Sequence, residues 1–451
     1  MIHRASPPGM EKAIVTERDQ HPISRKQISE NALKVLYKLG SAGYCAYLVG
    51  GSVRDLLLGK TPKDFDVATN ATPEELKQIF RNARIIGRRF KIVHIHFGRE
   101  IIEVTTFRAP HEADNEIADD VSRRQIKGLD SAHSTSGMIL RDNVYGSIDE
   151  DALRRDFTIN ALYYTTENFR ILDFSTGLKD METRQIRMIG DPRERYKEDP
   201  VRMLRAVRFS AKLDFDIEES TKQPIKELAH LLGSISSARL FDETLKLLTG
   251  GHAQATFALI REHDIGDYLF APTMEALDSD ESPACNLVDL ALRNTDIRIS
   301  EGKSVTPAFL FAALLWPVLT QRLRSESYEK KFDFQIYQRC ANAVLMEQLD
   351  YTAVPKRFTI AAREIWELQL RLERRAKHFL GNALNNPRFR AGYDFLLLRE
   401  ESGEDLKGMG QWWTDFQIGD TKQRTELIAR VASPINRRKR RKKNKPSGVT
   451  D

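Results

Sequence analysis

Two aspartates separated by one residue, Asp64 and Asp66, are the strongest indication of chemistry in this 451-residue sequence. Apolar Phe65 and Val67 alternate with them, as on a β-strand with one buried face. On such a strand the two carboxylates project from the same side. Like charges so close repel unless a cation lies between them, so the pattern predicts a divalent metal site, with a solvated turn as the alternative. Oxygen ligands favour Mg²⁺, which usually binds together with substrate phosphates.

A glycine-containing turn precedes the aspartates and suits a phosphate. A short predicted strand runs into Gly50, Gly51 and Ser52. Glycine allows positive φ and close backbone approach, so this turn can direct N–H groups at an anion. A short helix over residues 53–58 would follow, with Arg54 as a charged fork near its anion-favouring N-terminus. An ordinary strand-to-helix turn is the alternative, and the nearby aspartates favour the functional interpretation.

A third carboxylate, Glu103, is predicted to lie on a β-hairpin. The segment Lys91–Arg108 alternates like two strands joined by a turn at residues 98–100. Glu103 falls on the second strand among apolar residues, and a buried unpaired carboxylate is costly. It should therefore face a cation or a base, unless it is simply exposed. His94 and His96 share one face of the first strand, and strand packing or solvent exposure is predicted for both.

Asp156 follows two arginines, Arg154 and Arg155. The residues alone allow either a functional acid or a local ion pair. Whether Asp156 touches a metal or orders the arginines stays open.

A helix is predicted to begin at Asp199 and Pro200, with Asp199 as the N-cap and Pro200 as the first helical residue. Arg202, Arg205 and Arg208 recur every three residues and so line one face. Such a row is usually solvated, but beside a triphosphate it would act as an electrostatic clamp. A cap alone is the alternative for Asp199.

These motifs occur in an order that resembles a known family. The stretches are GGSVRDLLLG with PKDFDVATNATPEEL, GRRFKIVHIHFGREIIEVTTFR, RRDFTINALYY and EDPVRMLRAVRF. Over roughly the first half of the chain they resemble the tRNA nucleotidyltransferase/poly(A) polymerase family, class II of the DNA polymerase beta-like superfamily. Ser52 stands where relatives commonly carry glycine or alanine, and its hydroxyl could donate to a phosphate.

The resemblance implies roles for the acidic and basic residues. Asp64 and Asp66 would hold two Mg²⁺ ions, and Glu103 chiefly the ion at the RNA 3′-hydroxyl, with Asp156 among the functional acids. Either Glu103 or Asp156 would be the third metal ligand. The residues expected to bind the ATP substrate are Gly50, Gly51, Ser52, Arg54, Arg155, Asp199, Arg202, Arg205 and Arg208. Among them, Arg155 would lie near the phosphates, and Asp199 and Arg202 would read the base through its Watson–Crick edge.

The resemblance also implies an α+β fold. An N-terminal nucleotidyltransferase head with a small mixed sheet would be followed by all-helical neck, body and tail domains. The sequence agrees, because strand patterns give way to helical ones. The expected divisions are an irregular N-terminus at 1–25, a catalytic head at 26–175, a helical neck with the nucleotide-reading helix at 176–250, a helical RNA-binding body and C-terminal domain at 251–430, and a disordered basic tail at 431–451.

Positive charge is concentrated near the C-terminus. Residues 437–445 carry eight basic side chains, and removing them from the formal net charge of +6 would leave about −2. Such a run is predicted to be a disordered arm that binds RNA through its phosphates, with a solvated or localisation tail as the alternative. The residues predicted to bind RNA are Arg437, Arg438, Lys439, Arg440, Arg441, Lys442 and Lys443.

Composition indicates a soluble, cytoplasmic protein. Three widely spaced cysteines imply neither a disulfide framework nor a zinc site. The first residues lack the apolar core of a secretion signal. The apolar segment Phe309–Leu319 is too short to span a membrane, so no membrane span is expected.

The expected activity is template-independent polyadenylation of RNA 3′ ends from ATP, with release of pyrophosphate. The expected partners are mRNA, small RNAs and decay intermediates, whose tails would mark them for decay; protein partners are not predicted. The basic arm suits arbitrary RNA ends, no phosphohydrolase domain follows the head, and the motifs are closest to those of bacterial poly(A) polymerases. A tRNA CCA-adding enzyme and a catalytically inactive RNA-binding scaffold are the alternatives.

Overall fold

The structure, a computed structural model, describes residues 8–87, 91–109, 116–117, 131–134, 139–142, 144–279, 281–327 and 334–431. The chain divides into two compact units, Met1–Ile235 and Ser236–Asp451. The predicted domain boundaries at 175 and 250 stay predictions. The basic residues at 437–443 lie outside the described residues, so their role in RNA binding also stays a prediction.

Strands occur only in the first unit of the described chain. They are β1 (Ile14–Thr16), β2 (Ala46–Val49), β3 (Asp66–Thr69), β4 (Ala83–Ile86), β5 (Ile92–Phe97), β6 (Glu100–Thr106), β7 (Glu116–Ile117), β8 (Ser131–Ser134), β9 (Ile139–Asp142), β10 (Leu162–Tyr164), β11 (Ile171–Asp173), β12 (Gln185–Ile186) and β13 (Asp216–Ile217).

An eight-stranded mixed sheet forms the centre of this unit, with the strand order β1-β11-β10-β2-β3-β6-β5-β4. β3 and β6 are parallel, and β5 and β6 form the predicted antiparallel hairpin. The register places Asp66 beside Glu103, and Glu103 beside His94. Because paired residues project from the same side of a sheet, these three side chains form a row across β3, β6 and β5. We call it the acid row.

The edge strand β1 lies where the sequence predicted irregular structure. Ile14–Thr16 pairs antiparallel with β11. The strand has three residues, and the Ile14 side chain is 63% exposed. Because no face of it is fully buried, the sequence lacks the alternation that would have revealed it.

The two faces of the sheet pack into separate apolar clusters. Leu48, Val67 and Val104 are buried on one face, and Tyr47, Ala68 and Tyr163 on the other. Full burial of a leucine or valine side chain among them contributes roughly 1.5–3 kcal/mol. The acid row projects from the second of these faces. The packing of the apolar clusters holds in place the backbone that carries the row.

The first unit contains eight α-helices over the residues described, which lie between the strands of the sheet in chain order and after them. They are α1 (Glu30–Ser41), α2 (Gly51–Leu57), α3 (Pro73–Ile79), α4 (Ile148–Leu153), α5 (Gly177–Glu182), α6 (Pro192–Glu198), α7 (Val201–Leu213) and α8 (Glu219–Leu228).

The boundary between α6 and α7 differs from the sequence prediction. Asp199 ends α6 in extended conformation, with φ −151°, and Pro200 is the N-cap of α7. The reason is steric, since a residue before proline is disfavoured in the helical region. No side-chain hydrogen bond caps α7, so the prediction that Asp199 is its N-cap was wrong by one residue.

The second unit is entirely helical over the residues described. Its helices are α9 (Ser237–Leu248), α10 (Ala253–Glu262), α11 (Ala271–Ser279), α12 (Pro283–Ser300), α13 (Pro307–Leu314), α14 (Trp316–Ser327), α15 (Phe334–Tyr351), α16 (Lys356–Arg374), α17 (Lys377–Leu380), α18 (Phe389–Glu401), α19 (Met409–Ile418) and α20 (Thr421–Val431). Within the described chain, no helix combines the length and the apolar character needed to cross a bilayer. The predicted α+β class, a mixed-sheet head followed by helices, is confirmed.

Candidate active site

The turn after β2 brings the backbone close to the acid row. Gly50 has φ 70° and ψ −138°, which L side chains rarely adopt, and α2 begins at the next residue. A Cβ atom on Gly50 would lie 3.7 Å from Arg155 Nη1 and 3.8 Å from Asp66 Oδ2. The structure therefore places Gly50 close to Asp66, a predicted metal ligand, and to Arg155, a predicted phosphate ligand.

Two residues of the predicted phosphate turn have internal partners instead. The Ser52 hydroxyl is buried and donates to the Val49 carbonyl at 3.0 Å. Arg54 is 2% exposed: its Nε and Nη2 donate to Asp55 Oδ1 at 2.9 and 2.6 Å, and its Nη1 donates to Asn160 Oδ1 at 2.6 Å. Both side chains thus have hydrogen-bond partners within the protein, where the sequence suggested phosphate contacts.

The carboxylates Asp66 and Glu103 lie side by side on β3 and β6, with Asp64 just ahead of β3. The expectation that Asp64 shares the strand was wrong, because β3 begins at Asp66 and Asp64 is an exposed residue of the preceding bend. Burial and then the charge of Glu103 raise the pKa of Asp66 to about 6, with Arg155 opposing and Asp64 adding to the increase. The repulsion between acids that the sequence predicted is therefore present.

The described residues contain no group of three His, Cys, Asp or Glu side chains close enough to hold a metal ion by themselves. This does not conflict with Mg²⁺, which is usually bound by one or two carboxylates together with substrate phosphates and water. Asp64, Asp66 and Glu103 supply oxygen donors only, and burial together with the neighbouring acid Glu103 raises the pKa of Asp66. The donor set therefore fits Mg²⁺ in a site that substrate completes.

Glu103 has a partner on its other side. His94 Nε2 lies 3.1 Å from Glu103 Oε1, across the β5–β6 pair. The sequence predicted strand packing or solvent exposure for His94 and did not predict this polar contact to a predicted metal ligand. The pairing of β5 with β6 was predicted, and the register within it would have revealed this contact.

Arg155 is held beside the glycine turn by two neighbours. Its Nε donates to the Tyr163 hydroxyl at 2.9 Å, and its Nη2 donates to Asp151 Oδ2 at 3.2 Å. The Tyr163 hydroxyl in turn donates to the same Asp151 oxygen at 2.6 Å. These bonds orient Arg155, whose charge lowers the pKa of Asp66. Sequence reasoning missed Asp151 and Tyr163, which no motif marks as chemical.

Asp156 is tied to the arginine helix rather than placed in the acid row. Its Oδ2 accepts from Arg205 Nε at 2.6 Å, and its Oδ1 accepts from the Phe157 N–H at 2.8 Å. Burial would raise the pKa of the Asp156 carboxyl, but Arg205 and the Phe157 N–H outweigh it and hold that pKa below its usual range. The geometry thus favours Glu103 over Asp156 beside Asp66.

Removing Arg205 should therefore destabilise the fold more than neutralising Asp156. The Arg205 side chain is 36% exposed and that of Asp156 only 11%. Arg205→Ala therefore leaves the more buried charge, the Asp156 carboxylate, without its arginine. We expect a loss of about 2 kcal/mol, below the range for a fully buried pair. Urea denaturation at pH 7 would measure it. The double variant Arg205→Ala/Asp156→Asn should recover part of the loss; equal costs for the two single variants would contradict this.

The arginines of α7 gather around Phe209. The guanidinium carbons of Arg54, Arg205 and Arg208 lie 5.2, 5.5 and 4.7 Å from the centroid of its ring. Such contacts stabilise a cation over an aromatic face. Sequence reasoning assigned Phe209 only to packing, because spacing cannot show three cations from two helices meeting at one ring.

Arg202 lies at the start of α7 and bonds back to α6. Its Nη1 donates to the Arg195 carbonyl and to Glu198 Oε2, both at 2.7 Å. Arg195 Nη2 donates to the Arg155 carbonyl at 2.8 Å. The α6–α7 corner, which includes Asp199, is therefore bonded to the turn that carries Arg155 and Asp156.

Solved structures share this fold. The Thermotoga maritima CCA-adding enzyme complexed with tRNA matches with a TM-score of 0.55 at 18% identity, covering 97% of this chain and 92% of its own. At that identity the likeness establishes the fold alone. The class of protein therefore has to come from the comparison of sequences.

Comparison with known sequences identifies the family to which the chain belongs. Family models match residues 46–187 (Poly A polymerase head domain), 214–277 (Probable RNA and SrmB-binding site of polymerase A) and 329–446 (Polymerase A arginine-rich C-terminus). Poly(A) polymerase I of Escherichia coli O157:H7 is 47% identical over 440 residues, covering 96% of this chain and 92% of that protein. A CCA-adding enzyme of Lactobacillus helveticus is 38% identical over 236 residues, covering 52% and 54%. The chain belongs to the bacterial poly(A) polymerase I family, as the motifs predicted.

Proposed function

We propose that this protein adds adenylates from ATP to RNA 3′ ends without a template and releases pyrophosphate. The single observation that carries the proposal is the 47% identity to a poly(A) polymerase I over 96% of the chain. Likeness to a CCA-adding enzyme covers only 52% of the chain, so CCA addition is the weaker candidate. The protein is accordingly a polynucleotide adenylyltransferase.

Asp64, Asp66 and Glu103 are the proposed holders of Mg²⁺. Bound Mg²⁺ would assist in-line attack by the RNA 3′-hydroxyl and steady the leaving pyrophosphate. The task of the chain itself is to keep acidic oxygens close together; burial and then the charge of Glu103 raise the pKa of Asp66 to about 6, which is the cost of holding that carboxylate there. Asp156 orders Arg205 in this proposal and is not a metal ligand.

Several arginines are proposed to bind the triphosphate. Arg155 is fixed next to Gly50, where a phosphate could approach the backbone. Burial, followed by the charges of Arg108 and Arg195, lowers the pKa of Arg154 to about 9. An anion would relieve that repulsion, so the cluster supports a polyphosphate ligand. Arg205 and Arg208 would help position the nucleotide, whereas Ser52 and Arg54 support the turn from within.

Base reading is assigned to Asp199 and Arg202. Asp199 lies in extended conformation directly before Pro200, the N-cap residue of α7. Arg202 is anchored at Glu198 and the Arg195 carbonyl. An acid and an anchored arginine at one corner suit the Watson–Crick edge of a base, since a side chain already held by hydrogen bonds loses little entropy on binding.

The RNA partners, mRNA, small RNAs and decay intermediates, belong to the same proposal, as does a cytoplasmic location. RNA binding by the basic arm rests on its charge, which would neutralise RNA phosphates.

One assay tests the activity. The purified protein with Mg²⁺ is incubated with each nucleoside triphosphate and either an unstructured RNA or a tRNA lacking its terminal CCA. We expect long tails on both RNAs with ATP alone. Three additions to tRNA that need both CTP and ATP would establish a CCA-adding enzyme, and no incorporation would establish a scaffold. Protein treated with EDTA is the control for contaminating metal-independent activity.

A further inference from the structure

His94 lies at the outer end of the acid row. The β5–β6 register puts it directly opposite Glu103, and its Nε2 lies 3.1 Å from Glu103 Oε1. An ionised carboxylate only accepts hydrogen bonds, so Nε2 carries the hydrogen and donates it. On the far side of His94, the register places Arg84 of β4.

Glu103 needs such a partner more than Asp66 does. The Glu103 side chain is 46% exposed and has three rotatable bonds, whereas the side chain of Asp66 is shorter and its pKa is raised chiefly by burial. A long exposed carboxylate samples several rotamers, and ordering it costs entropy when it binds. The His94 side chain is itself only 20% exposed, so its donor is held in place by packing.

We propose that His94 is a positioning residue for Glu103. Its N–H fixes Oε1 and leaves the second oxygen, Oε2, available to a divalent cation shared with Asp66. The inference rests on the proposed function, because it takes Glu103 as a metal ligand. Partners that orient a metal ligand typically matter 10–100-fold for metal affinity or activity.

His96 is the matched control that the chain offers. It lies two residues along β5 on the same face, with its ring centroid 6.2 Å from that of His94. The register puts Ile101 directly opposite it, where His94 has Glu103. Its ring nitrogens have no hydrogen-bond partner among the residues that the structure describes. Replacing His96 therefore removes an imidazole from the face without touching Glu103.

The test measures metal binding directly on the full-length protein. Mn²⁺ is titrated in the presence of RNA and a non-hydrolysable ATP analogue, and free Mn²⁺ is read by electron paramagnetic resonance. We expect His94→Ala to weaken Mn²⁺ binding by about tenfold, with KM for ATP unchanged and the lost rate restored at high Mg²⁺. His94→Gln keeps an N–H donor and should recover most of the affinity, and His96→Ala should bind like the wild type.

Three controls keep the outcomes distinct. Melting temperatures check folding, and if His94→Ala does not fold, His94→Phe replaces it with a ring that lacks a donor. Mn²⁺ affinity in His94→Ala that equals or exceeds that of His96→Ala overturns the inference. Glu103→Ala separates it from the proposed function: if that variant loses Mn²⁺ affinity while His94→Ala does not, only the role of His94 fails. Unchanged Mn²⁺ binding in Glu103→Ala would show that Glu103 is not a metal ligand, and the inference about His94 would fail with that assignment.

Discussion

Asp66→Ala should reduce nucleotide addition by about 10³-fold or more and leave the protein folded. The side chain lies at the first residue of β3, beside Glu103 and near Gly50 and Arg155. Losing it removes an oxygen ligand for Mg²⁺ and hence much of the electrostatic stabilisation of the transition state. Primer extension with ATP under single-turnover conditions would measure the loss. Asp64→Ala should act in the same direction.

The melting temperature of a second variant, Asp66→Asn, tests the effect of the Asp66 charge on the stability of the fold. Burial, followed by Glu103, raises the pKa of Asp66 to about 6, above the value of about 3.9 expected in the unfolded chain. An acid with a raised folded-state pKa loses stability as pH rises from about 4 through 6. Asp66→Asn, which cannot ionise, should therefore melt above the wild type at pH 8 without metal, and at the same temperature near pH 4.

Two outcomes would count against this account. A folded Asp66→Ala protein that extends RNA at nearly the wild-type rate would overturn the metal assignment. A lower melting temperature for Asp66→Asn at pH 8 would contradict the repulsion between Asp66 and its neighbours.

The acid row shows how far spacing alone can lead. The interval between Asp64 and Asp66 indicated a pair of acids, and the apolar alternation around Glu103 indicated a strand. That Asp66 and Glu103 are neighbours depends on the parallel pairing of β3 with β6, which is a tertiary contact. No local pattern encodes that register, so only the resemblance had grouped the three acids.

The arginines show where sequence reasoning fails. Arg54 follows a glycine turn and was assigned to phosphate, yet each of its three nitrogens donates to Asp55 or Asn160, and its guanidinium lies over Phe209. Asn160 and Phe209 are far away in sequence. The prediction that Asp199 is the N-cap of α7 failed for a local reason that is visible in the sequence, because a residue before proline is disfavoured in the helical conformation.

Fold class and family could be predicted because they depend on many residues at once. The change from period-two to helical patterns after the head survives errors at single positions. Several ordered motifs identify a family even where the contacts of one residue in them, such as Ser52, differ from those expected. Individual contacts have no such redundancy.

Deletion of everything after Pro434 should weaken RNA binding strongly and flatten its salt dependence. The deletion removes eight basic side chains and leaves α20, which ends at Val431, intact. Each phosphate contact on single-stranded RNA contributes about 0.7 to the slope of log affinity against log salt. Eight contacts would therefore account for a slope of about 5 to 6, or roughly 10³-fold in affinity between 50 and 200 mM salt.

The expected result separates binding from chemistry, since the truncated protein keeps the acid row. Addition of a single adenylate at saturating RNA should proceed at the wild-type rate, whereas the Kd for RNA at 50 mM salt should rise steeply. Filter binding across a salt series would measure both the affinity and the slope. A full-length variant with residues 437–443 and Lys445 changed to glutamine keeps the tail length and should behave like the truncation. Unchanged affinity at low salt would show that the arm does not bind RNA, because counterion release is strongest there.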